Sequence, residues 1–144
     1  VRSATFDLLS DLNFARSEAI KGGTKVTLCK STDGAACSTG TGGYETGWLV
    51  FRDCDGDGVL EDCDGDGTTA SELLRIHAAL TDVAIKGGTN IANRACFGAN
   101  GRATECGLSN GTYSVCLASQ LKRAIVISSL GRITLDESVS GSCP

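Results

Sequence analysis

Phe6-Asp-Leu-Leu-Ser-Asp-Leu-Asn-Phe-Ala-Arg-Ser-Glu-Ala-Ile-Lys21 is the stretch on which the fold turns. Leu8, Leu9, Leu12, Ala15, Ala19 and Ile20 recur at spacings of three and four, the apolar stripe of an amphipathic helix. Arg2, Asp7, Asp11, Arg16, Glu18 and Lys21 are expected mostly on the other faces. Acids lie towards the front and Lys21 at the end, the order that the helix dipole favours. Gly22-Gly23 then supplies the stop, because glycine accepts the positive φ of a helix terminator. Beyond that pair the sequence reads as strands and loops. The expectation is α+β: one amphipathic helix laid on antiparallel sheet.

The strands follow from alternation and turn punctuation. They are Lys25-Val-Thr-Leu-Cys29 as a half-buried strand, Gly47-Trp-Leu-Val-Phe-Arg52, Val83-Ala-Ile85, Arg94-Ala-Cys-Phe97 and Gly111-Thr-Tyr-Ser-Val-Cys-Leu117. Ala124–Ser128 and Arg132–Leu135 form a hairpin across Ser129-Leu-Gly131. Ser71–Ala78 reads as a strand or a short helix, and the alternation of Leu74, Ile76 and Ala78 with polar neighbours favours strand. Trp48, the one tryptophan, is expected in the core or on a sheet face.

The chain has 144 residues, 19 glycines, one proline and 5% aromatics, which suits a loop-rich β domain better than a helical bundle. No apolar run reaches the length of a membrane span. A net charge of −4 argues against a surface that seeks nucleic acid generally. Eight cysteines with no C-x-x-C pair and one histidine favour disulfides over zinc or redox chemistry, hence an oxidising compartment. Nearest-neighbour pairing gives Cys29–Cys37, Cys54–Cys63, Cys96–Cys106 and Cys116–Cys143. Disulfides without a signal peptide, in a chain starting inside a helix, point to a targeting segment removed ahead of Val1.

Catalytic patterns are missing. His77 has no Ser-His-Asp setting, eight paired cysteines leave no thiol nucleophile, and no glycine-rich loop leads from a strand into a helix. His77 reads as a strand residue with a satisfied ring. The expectation is no enzyme and no required cofactor.

The acidic turn carries more chemistry. Asp53-Cys-Asp-Gly-Asp-Gly58 and Asp62-Cys-Asp-Gly-Asp-Gly67 repeat one D-x-D-G-D-G unit. Asp53, Asp55, Asp57, Asp62, Asp64 and Asp66 thus offer carboxylates at alternate positions before a bend, as an oxygen-coordinated calcium ion requires. The twelfth position of an EF-hand loop is Asp64 counted from Asp53, and Leu73 counted from Asp62, with Glu72 one place short. Tandem repeats sharing ligands across a disulfide are one reading; a solvated Asp/Gly turn is the other. A third group, Lys122, Arg123 and Arg132, could gather at one end of the last hairpin as a DNA-backbone patch, or serve as edge-strand charges.

Leu12–Lys21, Val26-Thr-Leu-Cys29, Gly47-Trp-Leu-Val-Phe51 with the Asp/Gly turn, Leu73-Leu-Arg75, Phe97-x-x-x-Gly-Arg102 and Ile127-Ser-x-x-Gly-Arg132 together resemble the GspH/FimT/FimU group of minor type IV pilins and pseudopilins. The likeness spans nearly the whole chain. It implies one pilin-like periplasmic domain over 1–144, with 1–22 the C-terminal half of the pilin helix and 24–144 a β-rich head. The front half of that helix would be an apolar spine, anchored in the inner membrane before assembly and packed in the filament core afterwards, following a leader cut by the prepilin peptidase. The implied job is structural: a subunit that joins other minor and major pilins on the inner-membrane assembly platform, primes the filament and sits near its tip at the cell surface. Leu8, Leu12, Ala15 and Ala19 would then contact neighbouring subunits. A secretion pseudopilin is the alternative within the group. One branch binds DNA for transformation through Gly-Arg-x-Arg; here Gly131-Arg-Ile-Thr134 keeps Arg132 and puts Thr134 in place of the second arginine.

Overall fold

The computed structural model describes residues 2–107 and 110–144. Helix α1 runs over Arg2–Gly22 and is followed by eight strands: β1 Val26–Lys30, β2 Trp48–Arg52, β3 Leu73–His77, β4 Ala84–Gly87, β5 Arg94–Phe97, β6 Gly111–Leu117, β7 Gln120–Ile127 and β8 Ile133–Asp136. They form two four-stranded sheets, ordered β3-β2-β1-β5 and β4-β6-β7-β8, with every pairing antiparallel.

Helix α1 spans both sheets, touching β1, β2 and β5 of the first and β7 and β8 of the second. Leu8, Leu12, Ala15 and Ala19 are fully buried against Val26, Leu28, Trp48, Val50, Phe97 and Ile125. Burial of each leucine side chain stabilises by about 2 kcal/mol. This corrects the expectation that these four residues meet neighbouring subunits: the two sheets already cover the stripe. What α1 leaves exposed and apolar is Phe6 and Ile20, at 41% and 48%.

Strand β1 is buried along its whole length, not half-buried as its alternation implied. It sits between β2 and β5, with α1 on one face. On the other face Cys29, Leu49 and Phe51 make a second small core with Cys37, Leu60 and Leu73. Lys30, on the opposite face with Val26 and Leu28, is buried because its Nζ donates to the carbonyls of Gly40 and Gly42, each at 2.7 Å. The sheets are joined by Tyr44, whose ring meets Tyr113 edge-on at 4.8 Å and whose hydroxyl donates to Ile91 O at 2.7 Å.

Two further differences from the sequence reading have local causes. Strand β7 begins at Gln120, four residues earlier than alternation suggested, because Ala118 and Ser119 turn the chain with φ of 51° and 65°. Two consecutive positive φ values make the tight hairpin whose twist suits paired strands, here without the usual glycine or asparagine. Asp11, expected outside, is buried on the inner side of α1: Trp48 Nε1 and Arg75 Nη1 both donate to it at 2.8 Å. Arg75 also lies 3.7 Å from the centre of the Phe14 ring, and His77 stacks on Trp48 at 4.0 Å while facing Asp7. This polar seam bolts α1 to β2 and β3.

Four disulfides close the loops: Cys29–Cys37, Cys54–Cys63, Cys96–Cys106 and Cys116–Cys143. Their Cα separations are 5.6, 5.8, 6.0 and 5.9 Å, within the ordinary span. The last ties the C-terminus to β6, and Cys143 N donates to Ser119 O in the turn that follows that strand.

Candidate functional site

The long connection from β2 to β3 holds both acidic units. In the first, Asp53 is fully buried at the end of β2. Its Oδ2 accepts from the Thr27 hydroxyl at 2.7 Å and from Gly58 N at 2.8 Å, and its Oδ1 from Gly56 N at 3.1 Å. Burial pushes this carboxyl above the usual aspartate range, because the charged form is the one that loses water. Two cations line the loop. The Lys25 side chain runs against Gly56, and Arg94 Nη1 donates to Asp57 O at 2.7 Å. Glu61 approaches Asp55: a hydrogen bond between their carboxyls lowers Asp55 and raises Glu61.

The second unit repeats the internal geometry in solvent. Asp62 Oδ2 accepts from Gly67 N at 2.8 Å and Oδ1 from Gly65 N at 2.9 Å. The Gly67 amide holds Asp62 below the usual range. A turn then closes: Glu72 N and Leu73 N both donate to Thr69 O, at 3.2 and 3.1 Å. That turn brings Glu72 back beside the loop it follows. One carboxylate oxygen from each of Asp62, Asp64, Asp66 and Glu72 lies within 4.8 Å of the others. Asp53, Asp55 and Asp57 form a separate group of the same kind. The shared-ligand arrangement expected across Cys54–Cys63 is therefore replaced by two distinct carboxylate groups, the second completed by a residue outside the repeat.

The basic residues are not brought together. Ser128 N donates to Arg132 O, which sets Arg132 opposite the far end of β7, while Lys122 and Arg123 lie at its start. Five positions along a strand is roughly 17 Å. Arg123 pairs with Val115 of β6, while Lys122 is the residue left without a partner where the β6–β7 register shifts. Lys122 Nζ donates to Gln120 Oε1, and Thr134 is engaged with Val126 O. The register thus separates the charges that a DNA patch would need side by side. Arg132 sits instead where two turns touch. A side chain on Gly131 (φ 86°) would overlap Gly101 O, and Arg16 Nε donates to that same carbonyl at 3.1 Å. The two glycines answer different neighbours: Gly131 makes room for the Gly101 carbonyl, whereas a side chain on Gly101 (φ 82°) would meet Ile20 and Arg16 of α1.

Comparison with known proteins places this architecture. The family model described as "Type II transport protein GspH" matches residues 4–131. The chain belongs to the GspH family. No curated protein matches it. Its fold is similar to crystal structures of the type IV minor pilin FimU from Pseudomonas aeruginosa strain PAO1. One, in space group P65, has a TM-score of 0.68 and 25% identity over 100% of both chains. Another, in space group P21, has a TM-score of 0.68 and 24% identity over 99% of this chain and 94% of that one. Family and fold make this GspH-family head a minor type IV pilin, a structural subunit. Among the described residues no helix is long and apolar enough to cross a membrane.

Proposed function

We propose that this subunit acts at or near the pilus tip, joining other minor pilins to prime assembly on an inner-membrane platform, with its head in the periplasm beforehand and on the cell surface afterwards. The observation that carries this reading is the full-length likeness of the β-rich head and its helix to FimU. The burial of Leu8, Leu12, Ala15 and Ala19 shifts the contact surface to what α1 leaves open, so Phe6 and Ile20 meet the neighbours. Continued upstream, the same helix would supply the apolar spine of the filament core and the membrane anchor before assembly.

The test is a gene deletion complemented with Phe6→Asp and Ile20→Asp in the full-length protein. Deletion is expected to remove most surface pili, and the double variant to fail to restore them while the isolated head keeps its Tm. Normal piliation in either strain would defeat the reading. A second reading, a secretion pseudopilin, is favoured by the description attached to the matching family. It would be supported by a deletion that blocks protein export and spares piliation.

A further inference from the structure

We infer that Asp62, Asp64, Asp66 and Glu72 form a calcium site, independent of the filament reading and distinct from the first acidic unit. Glu72 carries the inference. It is 3% exposed, at the root of β3, and its Oε1 is buried without a hydrogen-bond partner. Its other oxygen, Oε2, lies 3.1 Å from the Ser71 hydroxyl. A carboxylate shut away from water with one oxygen unsatisfied is costly unless a cation or a proton meets it. The group it faces is a set of three aspartates, whose oxygens lie within 4.8 Å of one another and of Glu72.

The Ser71 hydroxyl marks the gap. Its oxygen lies 3.1 Å from Asp64 Oδ2, 3.5 Å from Asp66 Oδ2 and 3.1 Å from Glu72 Oε2. A hydroxyl has one proton, so it satisfies one of those three acceptors at a time. The lining is all oxygen and strongly negative, which selects a hard cation. Loop positions one, three and five supply the aspartates, and the seventh is Thr68, where a calcium loop uses a backbone carbonyl. Glu72 takes the closing role one residue early because the Thr69–Glu72 turn shortens the path. No described ion pair reaches these four residues; Arg52 donates to the Ser71 carbonyl, not to a carboxylate. Calcium is favoured over magnesium, since irregular carboxylate cages suit the larger ion.

The experiment is calorimetry and thermal melting of the chelator-treated protein with calcium chloride, repeated with magnesium chloride. One calcium ion per chain is expected, with a Tm that climbs by equal steps for each tenfold rise in calcium above Kd. Magnesium should bind at least about tenfold more weakly. Glu72→Gln and Asp64→Asn should each weaken calcium binding more than about tenfold, while Asp55→Asn in the first unit changes it less than about threefold. Should Glu72→Gln misfold, the exposed Asp66→Asn carries the same test. Absence of heat and of any Tm change at about 10 mM calcium would overturn the site. So would binding that survives both Glu72→Gln and Asp64→Asn, or that Asp55→Asn abolishes.

Discussion

The Asp53–Gly58 unit roots its first carboxylate in the sheet, whereas Asp62–Gly67, with the same order of aspartate and glycine, stands in solvent and meets the fold through Glu72. Asp53 answers the hydroxyl of Thr27 on β1 and two loop amides, and Lys25 and Arg94 flank the loop. Asp62 makes its hydrogen bonds within its own loop. The same hexapeptide therefore sits in two settings. Next to a strand end it is a structural plug; across the Cys54–Cys63 bridge its carboxylates stand exposed beside Glu72.

The largest expected contrast is in stability without metal. Asp53→Ala leaves the Thr27 hydroxyl and the Gly56 and Gly58 amides without their acceptor. The expected loss is about 3 kcal/mol, or about 10 °C in Tm for a domain of this size. Asp62→Ala, exposed, should move Tm by about 2 °C or less. Equal losses in chelator, measured by thermal melting, would erase the distinction between plug and binding loop.

Glycine substitutions sharpen it at the next level. Gly58 and Gly67 both hold φ near +80°, at 80° and 83°. Alanine at either position costs about 1 kcal/mol for the left-handed backbone. At Gly58 the new methyl also meets the Arg94 guanidinium, while Gly67 has nothing within 4 Å. Gly58→Ala should therefore cost about twice what Gly67→Ala does by urea denaturation. A ratio of one would mean that Arg94 yields freely and does not brace the first loop.

How far these differences could be read beforehand depends on what each residue's partner is. The stripe Leu8, Leu12, Ala15, Ala19 is a local pattern, so the helix was visible in the sequence; that both sheets of this chain, and not neighbouring subunits, cover it was not. The duplicated D-x-D-G-D-G was equally plain. Its division of labour was not, because that rests on Thr27, Lys25 and Arg94, contributed by distant strands. Glu72 lay one residue off the expected ligand position, and only the Thr69 turn returns it to the loop. Asp11 looked like a surface acid because Trp48 and Arg75, its partners, come from β2 and β3. The turn at Ala118-Ser119 has no glycine to announce it, which hid the first half of β7 and, with it, the distance between Arg123 and Arg132.

A subtler contrast is the direction in which the two leading aspartates titrate. Burial raises Asp53, and the Gly67 amide lowers Asp62. For Asp53 the charged form is penalised in the fold, so its contribution to stability improves as pH falls through the raised value. For Asp62 the stabilising contribution is present above the ordinary aspartate value of about 3.9 and is lost as pH falls through the lowered one. Carboxyl-carbon NMR titration in chelator should place the Asp53 midpoint above that value and the Asp62 midpoint below it. Midpoints in the reverse order would mean that Asp53 is better solvated than its position under Thr27 implies.

The smallest effect separates a placeholder from a ligand. Ser71 offers one hydroxyl proton to carboxylates of Asp64, Asp66 and Glu72. If the hydroxyl merely eases their repulsion until a cation arrives, Ser71→Ala should lower the metal-free Tm by about 1 °C or less and change calcium affinity less than about threefold. The cation itself then supplies what the hydroxyl did, and the methyl leaves the carboxylates in place. A tenfold loss of affinity would instead put the Ser71 oxygen in the coordination shell. The closing turn, and not Glu72 alone, would then define the second loop's chemistry.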